Sequence, residues 1–72
     1  MVVMEIHLAS GQAISLQFKS EDRTVEAAKA IDRFIASGVP SAMRIVDDFG
    51  FGLTLMPGAG VVALTLFREE GD

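Results

Sequence analysis

The sequence predicts an α+β fold of order ββαβββ, a two-layer sandwich with one helix packed on a five-stranded antiparallel sheet. Three observations carry that prediction. Apolar residues alternate with period two in five short segments. Between the second and third of these, apolar residues recur at helical spacing and are flanked by cap residues. Three glycine-bearing turns join the strands so that their apolar faces agree in register.

The first strand sets Val2, Met4, Ile6 and Leu8 against Val3, Glu5, His7 and Ala9. The second sets Ile14, Leu16 and Phe18 against Ala13, Ser15, Gln17 and Lys19. A two-residue Ser10-Gly11 turn would put their apolar residues on opposite faces. A bulged turn with Gly11 left-handed pairs Ile6 with Ile14 and Met4 with Leu16, so the hydrophobic pattern selects the bulge.

The helix is expected from about Asp22 to Ser37. Ser20 or Asp22 caps it, and Glu21, Asp22 and Glu26 place negative charge at its positive end. Val25, Ala28, Ile31, Phe34 and Ile35 form the apolar stripe. Gly38 ends the helix, Val39 folds back as an apolar contact, and Pro40 prevents continuation.

Asp47 to Phe51 repeats the bulged turn, with Gly50 left-handed, and pairs Ile45 with Leu53 and Met43 with Leu55. A third turn, Pro57 to Gly60, is expected to pair Leu55 with Val62, Leu53 with Leu64 and Phe51 with Leu66. The most apolar strands, the first and fifth, are placed centrally in the order 2-1-5-4-3. Residues 1–68 make a single α+β domain and residues 69–72 a polar C-terminal tail.

The chemistry is sparse beside the apolar content. The chain has 72 residues and is 50% hydrophobic, with no Cys, Trp, Tyr or Asn and one His. A chain this short gains only about a few kcal/mol from a core of its own, and disulfides are excluded. The net charge of −4, without a basic cluster, argues against a nucleic-acid partner. Met1 to Leu8 does not read as a signal peptide, and the longest apolar run is too short to span a bilayer as a helix. The expected setting is the cytoplasm, with no membrane partner.

On the sheet face opposite the helix the pattern places Val3, Glu5, His7, Arg44, Val46, Thr54, Met56, Ala63, Thr65 and Phe67. A solvated antiparallel face alternates to long polar and charged residues, whereas this one is small and apolar. The expected cover is a second copy of the chain, sheet against sheet, as a homodimer. Edge pairing of strands is the second geometry open to such a dimer.

The candidate chemistry reduces to local structure. Glu5 and His7 point the same way about 7 Å apart, too few ligands for a zinc site. Asp47 and Asp48 begin a turn, where a carboxylate accepts backbone N–H groups. Pro57 to Gly60 is followed by a strand, not by the helix that a phosphate cradle needs. A Ser15–His7 pair lacks an acid and an oxyanion hole. No catalytic residue, metal site or cofactor is expected. The sequence reads as a non-enzymatic, self-associating interaction module. The alternative is a small-molecule binding protein or minor enzyme with a pocket at the dimer interface, where His7, Glu5 and Arg44 supply the polar groups.

Overall fold

A computed structural model describes residues 1–38 and 40–69. The proposed role of Val39 and the tail beyond Glu69 lie outside them. The element order is β1 (Val2–Leu8), β2 (Ala13–Phe18), α1 (Glu21–Ser37), β3 (Met43–Val46), β4 (Gly52–Leu55) and β5 (Val61–Arg68).

Both bulged turns form as the hydrophobic pattern requires. Gly11 and Gly50 stand at φ 97° and 93°, where a Cβ is costly. The registers they set pair Ile6 with Ile14 and Met4 with Leu16, and Ile45 with Leu53 and Met43 with Leu55. The helix starts where Ser20 Oγ accepts the Arg23 N–H at 3.3 Å, and it ends on left-handed Gly38.

The single five-stranded sheet does not form. The structure has a three-stranded antiparallel sheet, β2-β1-β5, and a separate β3–β4 hairpin. The β2-β1-β5 neighbours and the β3–β4 pairing follow the expected order, but β4 and β5 are not paired. The residue pairs expected of the third turn, Leu55 with Val62, Leu53 with Leu64 and Phe51 with Leu66, are therefore absent. Two sets of hydrogen bonds account for this. At the start of β5, the Ala9 N–H donates to Gly60 O at 2.8 Å and Leu8 pairs with Val61, which draws β5 onto β1. At the tip of the hairpin, the Asp48 N–H donates to Gln17 O at 3.1 Å. The Gln17 and Lys19 N–H groups donate in return to Asp47 Oδ2 and Asp48 Oδ2 at 3.1 and 2.8 Å. The hairpin is thus fastened to the outer edge of β2, on the opposite side of the sheet from β5.

The core reflects that arrangement. Met4, Ile6, Leu16 and Phe18 from the sheet, Ile31 from the helix, and Ile45 and Leu55 from the hairpin form one buried cluster. The core extends towards the hairpin, and the helix buries Thr24 and Ile31 while Ala28 and Phe34 are half-buried. Thr24 satisfies its hydroxyl by donating to Ser20 O at 2.8 Å. Val25 and Ile35, expected in the buried stripe, are exposed and flank β5.

Candidate interaction surface

The β1–β5 register brings together six of the residues that the sequence places opposite the helix. Val3 lies across from Phe67, Glu5 from Thr65 and His7 from Ala63. Val3 is buried within the chain at 4% exposure, whereas Phe67 is 39% exposed. His7 Nε2 lies 3.5 Å from Glu5 Oε1 and 3.3 Å from Thr65 Oγ1. Both contacts fall on the same ring nitrogen. A catalytic relay needs the acid on one nitrogen and the hydroxyl on the other, so this cluster is a polar tie between strands. Among the described residues, no group of three His, Cys, Asp or Glu side chains is placed to hold a metal ion.

The other four candidates, Arg44, Val46, Thr54 and Met56, belong to the hairpin region. Arg44 pairs with Thr54, and its guanidinium covers Gly52, where a Cβ would stand 3.0 Å from Nη2. Val46 and Met56 are exposed. Because the hairpin is not hydrogen-bonded to β5, these four do not continue the sheet face that carries His7 and Phe67. Arg44 is therefore on a different sheet from Glu5 and His7.

The adjacent carboxylates have the turn role expected of them, with a wider reach. Asp47 Oδ1 accepts the N–H groups of Phe49 and Phe51, each at 2.9 Å, while Oδ2 takes Gln17. Burial would raise the Asp47 carboxyl, but the N–H groups of Gln17, Phe49, Phe51 and Gly50 outweigh it and hold the pKa below the ordinary carboxylate value. Asp48 is also lowered, first by the Lys19 N–H and then, against partial desolvation, by Arg23, whose guanidinium lies 2.7 Å away.

The feature that the residue pattern did not reveal is the state of β5. Its helix-facing residues Val62 and Leu66 are 65% and 38% exposed. With Ala28, Asp32, Ile35 and Leu64 they line a groove of about 410 Å³ between helix and strand. The apolar composition of Val61 to Phe67, interrupted only by Thr65, hinted at contact on both sides, but composition does not tell a central strand from an edge strand.

No family model matches this chain, and no curated protein or solved structure matches it either.

Proposed function

We propose that this chain is a small, non-enzymatic interaction module that works by self-association, as a homodimer formed through β5 of its three-stranded sheet. The observation that carries this reading is β5. It is an eight-residue strand at the end of a sheet, rich in Val and Leu, with Val62, Leu66 and Phe67 exposed. Natural proteins blunt such edges with charge, proline, bulges or cover, and a long apolar edge left open is a template for another chain. Ala63, Thr65 and Phe67 lie on the sheet face beside this edge, next to Glu5 and His7 of β1. Val46, Met56, Arg44 and Thr54 form a second exposed patch, available to a further partner.

The net charge of −4 weighs against nucleic acid as that partner. Among the described residues no helix is long and apolar enough to cross a membrane. Sedimentation velocity across micromolar concentrations tests the reading. A species of twice the chain mass supports it, and a chain-mass monomer throughout overturns it.

A further inference from the structure

The two edges of the β2-β1-β5 sheet differ in what is bonded to them. Antiparallel partners alternate between those that exchange main-chain bonds and those that do not. Just beyond β5, the Glu69 N–H donates to Met1 O at 3.0 Å. Counting back through the register, Phe67, Thr65 and Ala63 bond to β1, while Leu64, Leu66 and Arg68 turn their main-chain groups outward. Among the described residues, β1 is the one hydrogen-bonded neighbour of β5.

The same count runs across β1 to the other edge. Val3, Glu5 and His7 bond to β5, so Val2, Met4 and Ile6 bond to their partners Phe18, Leu16 and Ile14 on β2. The outward row of β2 is therefore Ala13, Ser15 and Gln17, continued by Lys19. The hairpin tip occupies half of that row. The Asp48 N–H donates to Gln17 O at 3.1 Å, and Asp47 Oδ2 accepts the Gln17 N–H at 3.1 Å. Asp48 Oδ2 accepts the Lys19 N–H at 2.8 Å. A neighbouring strand would offer Gln17 one donor and one acceptor, and the tip does so with a main-chain N–H and a carboxylate. A side chain takes up the ladder bond without continuing the ladder, and β3–β4 remains a separate sheet. The tip is gripped from the helix side as well. Arg23 lies 2.7 Å from Asp48 Oδ1, and Lys19 Nζ stands 5.8 Å from the centre of the Phe49 ring.

We propose, resting on the β5 dimer above, that the Asp47–Asp48 clip is an edge guard that stops assembly at two copies. Two copies joined through β5 present a β2 edge at each end of one continuous sheet. With the Gln17 and Lys19 groups bonded to the tip, each end is closed. With them free, each end offers the row from Ala13 to Lys19 to the β2 edge of another dimer. Alternating β5 and β2 contacts then build an open-ended sheet. Burial of Ile45 and Leu55 seats the hairpin, and the two carboxylates place its tip on the edge.

Sedimentation velocity on full-length variants across micromolar concentrations tests the guard. Asp47→Ala/Asp48→Ala removes the carboxylate acceptors and is expected to give species heavier than two copies that grow with concentration. Ile31→Ala destabilises the core, leaves the clip whole and is expected to stay at two copies. Leu66→Pro added to the double variant removes an outward N–H of β5 without taking a bond from β1, and is expected to limit growth to two copies. Circular dichroism verifies that each variant is folded. Asp48→Ala keeps the Asp47 turn and carries the test where the double variant does not fold. It is expected to pass two copies at higher concentration. A folded release variant that stays at two copies overturns the guard and leaves the β5 dimer standing. Equal growth in Ile31→Ala, or growth undiminished by Leu66→Pro, assigns the heavy species to unfolded chains and also overturns the guard. A wild-type chain of monomer mass overturns the β5 dimer on which the guard rests.

Discussion

The Asp47 carboxylate accepts the Gln17 backbone N–H at 3.1 Å, across a sequence separation of thirty residues. Its other oxygen holds the N–H groups of Phe49 and Phe51. One buried side chain thus shapes the hairpin turn and fixes the hairpin to β2. Asp47→Ala strips the acceptor from three donors and is expected to cost about 3 kcal/mol. Asp47→Asn keeps one acceptor oxygen and loses less. Urea unfolding midpoints for the two variants rank the losses.

The same contacts make stability depend on acid. Asp47 and Asp48 have folded-state pKa values below those of the unfolded chain, so their contribution is fully present above the unfolded carboxylate range. It is lost as the pH falls through the lowered folded values. Unfolding free energy should therefore decline below about pH 4. An acid titration of Asp47→Asn should show a shallower decline than wild type. An equally steep limb in the variant would assign the acid sensitivity elsewhere.

Two glycines in the hairpin separate strain from crowding. Gly50 at φ 93° has open space around its Cα, so Gly50→Ala meets no neighbour and is expected to cost about 1–2 kcal/mol from backbone strain alone. Gly52 lies outside the left-handed region, and its added methyl meets the movable end of Arg44. Gly52→Ala is expected to be neutral to within about 0.5 kcal/mol. Thermal unfolding of the two variants checks the contrast.

Helix substitutions report which way α1 faces. Ile31 is fully buried, and Ile31→Ala is expected to cost about 3 kcal/mol. Ile35 is half exposed beside β5, and Ile35→Ala is expected to change monomer stability by less than about 1 kcal/mol. Unfolding should be measured at protein concentrations low enough that only intrachain packing is read.

These contrasts also mark what the residues reveal on their own. The two bulged turns were legible because a single-residue slip would scatter Ile6, Ile14, Ile45 and Leu53 to opposite faces. The helix caps were legible because Ser20 and Gly38 serve local geometry. The strand neighbours were not, because pairing β5 to β4 or leaving it at an edge satisfies the same alternation. The choice was made by bonds between distant segments, Ala9 to Gly60 and Gln17 to Asp47, which leave no periodic trace. The same holds for the interaction surface. The pattern put ten residues on one face; the structure keeps Val3, Glu5, His7, Ala63, Thr65 and Phe67 there, while Arg44, Val46, Thr54 and Met56 go with a hairpin docked elsewhere. Val25 and Ile35 fit the helical stripe, and their exposure follows from a core that extends towards the hairpin.

The open edge of β5 is tested most directly by residue-resolved amide hydrogen exchange as a function of protein concentration. If β5 pairs with a second copy, the amides of Leu64, Leu66 and Arg68 should be protected at high concentration and should lose that protection on dilution. Those of Ala63, Thr65 and Phe67, bonded to β1, should remain protected at every concentration. Fast exchange at Leu64, Leu66 and Arg68 in a sample that sediments as a dimer would contradict the pairing of β5 with its copy.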